Sequence, residues 1–141
     1  MATGILVLTD CVITLGTGPT DLSGKSSKLE MPVEVDELDV TVFGGVWKKR
    51  TGGLLDAKVN ATIFNDFAVG VVDDLVWGWT IGRVPIPFTI KPTSAAISVT
   101  NPLYSGLVLP KGYSPVSGGV GEVNKFDIQW PTSGAVVRAI T

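Results

Sequence analysis

Hydrophobic and polar residues alternate along most of this chain. Over residues 28–35, Leu29, Met31, Val33 and Val35 fall on one side and Lys28, Glu30, Pro32 and Glu34 on the other. That period of two defines a half-buried strand. Residues 56–64 repeat it, with Ala57, Val59, Ala61 and Ile63 against Asp56, Lys58, Asn60 and Thr62. So do residues 84–90, and residues 123–130, where Phe126, Ile128 and Trp130 oppose Lys125, Asp127 and Gln129. Shorter β-rich runs cover 5–9, 11–15, 97–100, 104–109 and 135–140. Turn residues separate them at 16–19, 24–27, 91–94, 101–102 and 117–121. Pro32 removes a ladder donor, which suits an edge strand, and Pro85 and Pro87 remove donors on alternate residues, so that one edge of their strand cannot pair fully.

One stretch changes period. Val69, Val72, Val76 and Trp79 recur at helical spacing, so residues 68–79 are expected to form a helix. Asn65 or Asp66 is placed to cap its start, and Gly78 or Gly82 to end it. Gly70 and the valines are poor helix formers, so this helix must draw its stability from packing. Asp73 and Asp74 are expected to face solvent. The sum is about eight strands and one helix without an internal repeat. It predicts a mainly β chain: a two-sheet antiparallel β-sandwich or barrel with one α-helix, as a single domain over residues 1–141.

Between two of these strands lies a long loop, residues 41–53, bracketed by Gly44-Gly45 and Gly52-Gly53. Paired glycines read as hinges, because glycine takes a positive φ without a Cβ penalty. The loop carries Trp47, and an exposed tryptophan is costly unless it docks. Trp47 therefore either folds back on its own sheet or anchors the chain to a neighbour. The second reading makes a contact arm of Phe43, Val46, Trp47, Lys48, Lys49, Arg50 and Leu54.

Composition leans the same way. Only 17% of residues are charged, with 17 Gly and 9 Pro, against about 25% charged in an ordinary domain. Either copies of the chain bury much of one another's surface, or this is a Gly/Pro-rich β domain with many tight turns. The formal net charge of −2 leaves no basic field to grip nucleic acid. The cluster of Lys48, Lys49 and Arg50 reads as a solvated loop tip unless it meets a partner.

Chemistry is hard to find. Histidine is absent, which removes the commonest general base and metal ligand. The single cysteine, Cys11, sits in an apolar run and reads as a small core residue. Asp73 and Asp74 are adjacent on a helix and do not face each other. The acids Glu34, Asp36, Glu37 and Asp39 lack the spacing of a calcium loop. The glycine run at 117–121 lacks the lysine and helix of a phosphate loop. No catalytic, cofactor or metal site is expected, and the chain is not read as an enzyme. The opening residues carry no basic segment, and Asp10 interrupts their apolar run, so no signal peptide is expected. No apolar run approaches the ~18 residues of a membrane span.

Four motifs occur in order. They are Asp39-Val-Thr-Val-Phe-Gly44 with its basic loop and Gly53-Leu-Leu-Asp56; Ile63-Phe-Asn-Asp-Phe67 leading to Asp73; Ile90-Lys-Pro-Thr-Ser-Ala-Ala96 with Thr100-Asn-Pro-Leu-Tyr-Ser-Gly106; and Tyr113-Ser-Pro115, Gly119-Val-Gly121 and Trp130-Pro131 with Gly134 and Arg138. Together they resemble the tail tube (major tail) proteins of long-tailed phages of actinobacteria. The resemblance implies a virion structural protein of the tail, made in the host bacterial cytoplasm. It implies a β-sandwich whose copies form hexameric rings, stacked into a hollow tube through which the genome passes at ejection. One sheet of each subunit joins its neighbours around the lumen, and the long loop reaches an adjacent ring. Tape-measure and tail-end proteins would be further partners, DNA would pass without specific binding, and no membrane is involved. The lumen would be lined by Glu30 and Glu34, or alternatively by Asp56 and Asn60; these acids otherwise simply face solvent. Competing readings are a capsid decoration or head–tail connector sandwich, and a carbohydrate-binding sandwich using Trp47, Trp77 or Trp79. A hydrolase has little support without histidine.

Overall fold

The longest alternating run belongs to the longest strand. A computed structural model of the chain describes residues 5–18 and 20–141, so expectations touching residues 1–4 and Pro19 lie outside it. The elements run β1 (Val12–Leu15), β2 (Thr20–Asp21), β3 (Ser26–Glu30), β4 (Val33–Asp39), β5 (Arg50–Phe64), α1 (Val72–Gly82), β6 (Ile86–Lys91), β7 (Leu103–Val108), β8 (Lys125–Pro131) and β9 (Val137–Ala139). They build a mainly β, two-sheet antiparallel sandwich with one α-helix among the described residues.

In the first sheet β5 is the shared strand. Asn60 stands opposite Glu30 of β3 on one edge and Gln129 of β8 on the other. Further along, residues 50–57 of β5 pair with β4. The expected single strand over 28–35 is thus two, broken at Met31-Pro32, where the Pro32 carbonyl still accepts from the Lys58 amide. The second sheet has the order β2-β1-β6-β7-β9.

The period of two places Val59, Ala61, Ile63, Phe126, Ile128 and Trp130 on the inner face of the first sheet. Ile13, Leu15, Ile86, Phe88, Ile90 and Val108 answer from the second. Each large apolar side chain so buried contributes about 1.5–3 kcal/mol. Trp130 satisfies its indole N–H by donating to the Gly112 carbonyl at 3.0 Å. Gly16, with φ +93°, lies beneath Trp79, and a Cβ there would stand 2.8 Å from the indole Cζ2.

Several local expectations are corrected. Residues 5–9 are exposed and form no strand. Residues 97–100 contribute only a single bridge, Ser98 to Asn101. The buried Asn101 side chain organises that turn instead, donating to the Ala95 carbonyl at 2.8 Å and accepting from the Thr93 amide. The helix begins at Val72 and runs to Gly82, where Arg83 takes a left-handed φ of 58°. Residues 68–71 are a turn because Gly70 has φ +76°. Val69 is consequently 94% exposed. Asp66 braces the turn rather than capping the helix, accepting from the Ala68 amide at 2.9 Å. Asp74 accepts from the Gly70 amide at 2.6 Å.

Asp73 does not face solvent alone. It accepts a 2.6 Å hydrogen bond from the Tyr113 hydroxyl, which in turn accepts from Asn65 Nδ2 at 2.8 Å. The Tyr113 ring meets Phe126 edge-on at 4.8 Å. This clamp joins the helix, the end of β5 and the 109–116 segment. Burial, helped by the bond to Asp73, pushes the Tyr113 phenol up to about 12. The folded value lies above the unfolded value of about 10. The stability held by the neutral phenol is therefore whole below about pH 10 and is lost as pH rises to about 12. Urea titrations should show the wild type losing more stability across that window than Tyr113→Phe; parallel losses would mean that the clamp is not made.

Candidate functional site

The hairpin of β4 and β5 leaves the sandwich as an arm. Its register runs Val33–Ala57, Glu34–Asp56 and Val35–Leu55, then past a bulge Glu37–Gly52, Leu38–Thr51 and Asp39–Arg50. Residues 33–56 are all exposed, and at the base residues 132–136 lie beside Val33 and Leu55. The seven residues of β4 carry the tip about 20 Å along the strand direction.

The arm is shorter in loop and longer in strand than the sequence implied. Residues 50–53 belong to β5, leaving 40–49 as the connection. Gly52 and Gly53 are not hinges. They make room across the bulge: a Cβ on Gly53 would lie 3.2 Å from Leu38 Cδ1, and one on Gly52 3.1 Å from Val35 Cγ1. Gly44 does turn the chain, with φ +88°. The tip is held by its own bonds. Thr41 Oγ1 accepts from the Lys49 amide at 2.9 Å, and the Val40 amide donates to the Lys49 carbonyl at 2.9 Å. Asp39 accepts from the Thr41 amide, and its hydrogen bonds to Thr41 hold its carboxyl below the usual range.

Trp47 does not fold back on its own sheet; it is 87% exposed. Phe43, Val46 and Leu54 are likewise open. The basic cluster divides. Arg50 pairs with Glu37 on the stem, while Lys48 and Lys49 stand at the tip without an ion-pair partner among the described residues. The structure thus brings Phe43, Val46, Trp47, Lys48 and Lys49 together at one end and places Arg50 and Leu54 lower down.

The second surface is the outer face of the first sheet. Register sets Glu30 beside Asn60 and Glu34 beside Asp56, so both pairs of acid or amide residues singled out in the sequence share one face. Asp127 joins them, accepting from Thr62 Oγ1 at 2.5 Å. Lys28, Lys58 and Lys125 alternate onto the same side, so four acids face three lysines.

A third feature was not legible beforehand. Where the arm leaves the sandwich, Val33, Leu55, Ala57 and Val136 wall a groove of about 350 Å³, with Asp56 at its rim. Its two sides lie some eighty residues apart in sequence, and only register brings them together.

Among the described residues no group of three His, Cys, Asp or Glu could hold a metal ion, and no helix is long and apolar enough to cross a membrane. Cys11 packs against the core, donates to the Lys91 carbonyl at 3.1 Å, and has its thiol pushed up by burial. Trp130 is buried and Trp79 packs inward, which leaves Trp47 and Trp77 as the open indoles.

The sequence matches no family model and no curated protein. The fold, however, a mainly β, two-sheet antiparallel sandwich with one α-helix, is shared with solved structures. It is similar to a chain in the virion of a native gene transfer agent particle, with a TM-score of 0.74, 13% identity, and coverage of 92% of this chain and 95% of that one. It is also similar to a chain in the tail of an empty gene transfer agent particle solved with C6 symmetry, with a TM-score of 0.71, 13% identity, and coverage of 91% and 94%.

Exposed basic residues on a protruding tip are preferred protease sites. Brief trypsin treatment of unassembled protein should cut first after Lys48, Lys49 or Arg50, leaving two fragments that stay associated. First cleavage at Lys58 or Lys125, inside the sandwich, would contradict the arm geometry.

Proposed function

We propose that this chain is a non-enzymatic virion structural protein, the tail tube subunit of a long-tailed phage or phage-like particle. Six copies close a ring, and the rings stack into the conduit for genome ejection. The observation that carries the reading is the ordered, uncovered apolar arm, set on a fold similar over 91% of the chain to a component of a C6-symmetric tail. A monomer gains nothing from holding Phe43, Val46 and Trp47 in water, whereas a subunit gains by burying them in its neighbour. The four ordered sequence motifs support a phage of actinobacteria. On this reading residues 1–141 act as one domain, assembled in the host cytoplasm and ending in the virion tail. Tape-measure and tail-end proteins meet the tube at its ends.

The outer face of β3, β4, β5 and β8 then lines the lumen. DNA moving through a tube must slide, so its wall should not collect phosphates. Even without Asp56, which lies at the rim of the basal groove, three acids beside three lysines leave this face no basic field.

Negative-stain microscopy of concentrated protein should show six-fold rings or hollow tubes. Compact particles that bind only assembled capsids would favour a decoration protein instead. Trp47→Ala should leave the monomer folded and stop polymerisation, because each lost contact removes roughly 2–4 kcal/mol. Tubes of normal length from that variant would refute the anchoring role.

Glu30→Lys together with Glu34→Lys should leave tubes intact but make them retain double-stranded DNA at low salt and release it at high salt. Unchanged passage would place those residues away from the lumen.

A further inference from the structure

The arm carries opposite charges at its two ends. Lys48 and Lys49 stand at the tip beside Phe43 and Trp47. Asp36 lies on the stem and Asp56 at the rim of the basal groove; neither has an ion-pair partner among the described residues. The paired strands keep these ends apart. Eight residues separate Lys48 from Asp56 along the ladder, about 25 Å at the rise of a strand. Lys48 cannot fold down onto Asp56 of its own chain without tearing the hairpin open. An acidic apolar groove and a basic apolar tip on one rigid element are complementary only between copies.

We infer that the tip of one copy docks in the basal groove of the next. Trp47 fills the space walled by Val33, Leu55, Ala57 and Val136, and Lys48 or Lys49 meets Asp56 or Asp36. The inference rests on the tail tube reading and names the receiving surface for the arm. The groove, at about 350 Å³, has room for an indole, and aliphatic side chains wall it beside the polar Thr132 and Asp56. The contact is heterologous, because tip and groove are different patches. Each copy gives one contact and accepts one, so the interaction propagates from subunit to subunit instead of closing a pair.

Cross-linking tests the contact. In a Cys11→Ser background, Val46→Cys and Ala135→Cys place one thiol at the tip and one at the groove while keeping Trp47. A disulfide needs Cα atoms within about 7 Å, so the two cannot bridge within a chain. Oxidation of assembled protein should give a ladder of covalent multimers, whereas either single-cysteine variant should give none beyond a dimer. Rings or tubes without a ladder would overturn the docking site and leave the tube reading standing. Protein that remains monomeric at every concentration, giving neither tubes nor ladder, would overturn both. A charge exchange supplies a second test with native cysteine. Lys48→Glu with Lys49→Glu should raise the concentration needed for assembly by on the order of tenfold. Adding Asp36→Lys and Asp56→Lys to that chain should restore most of the loss. Failure of the second pair to restore assembly would overturn the pairing.

Discussion

One ladder organises this molecule. β5 is paired on both edges over its C-terminal half and on one edge only over its N-terminal half. The doubly paired half is a sheet interior: its inner residues meet the second sheet and its outer residues form a continuous polar face. The singly paired half projects as a hairpin. An isolated two-stranded hairpin is marginal in water. This one is ordered because its strand is continuous with a buried strand, so the core fixes the register that the arm inherits. The Glu37–Arg50 pair and the Thr41 bonds close its far end.

That continuity also explains why the arm is apolar. The inner face of β5 does not end where the core ends. Ala57 is buried, yet its alternate neighbour Leu55 and the paired Val33 and Val35 continue the same apolar stripe into solvent. A period-two pattern reports which face a residue lies on and not whether anything covers that face. The runs over 56–64, 86–90 and 125–130 were therefore legible in the sequence as strands with the correct faces, while Val84 and Val123 lie outside them and are exposed. Whether Leu55 packs within the chain or against a neighbour was not.

The misread pieces share a physical cause: each depends on a partner distant in sequence. Gly52 and Gly53 looked like hinges because glycine permits a positive φ. In the fold they are small because Leu38, Asp36 and Val35 cross over them at a bulge. Asp73 looked solvated until Tyr113, forty residues away, closed onto it. Residues 5–9 had strand composition, but composition alone does not place a segment in a ladder. The two acidic readings, Glu30 with Glu34 and Asp56 with Asn60, merged once register placed them side by side. Of the candidate site, the tip residues were legible because an apolar and basic cluster between glycines has few reasons to exist in a monomer. The basal groove was not, since its walls come from residues 33–57 and 132–136.

A preformed arm changes the energetics of assembly on the tube reading. A flexible loop would lose conformational freedom on docking, and that loss would offset much of what Trp47 gains. Here the ordering is done during folding, so the burial of the tip counts almost fully. Even so, a contact of roughly 2–4 kcal/mol corresponds by itself to a dissociation constant near or above about 1 mM. Two free subunits at ordinary concentration would scarcely associate through it. A subunit joining a growing tube makes such a contact as donor, another as acceptor, and lateral contacts besides, and linked contacts raise the effective concentration of each other. Weakness of the single contact and strength of the many together keep the chain dispersed until a growing end is present. The same chain can therefore expose a tryptophan in solution and hold firmly in a tube.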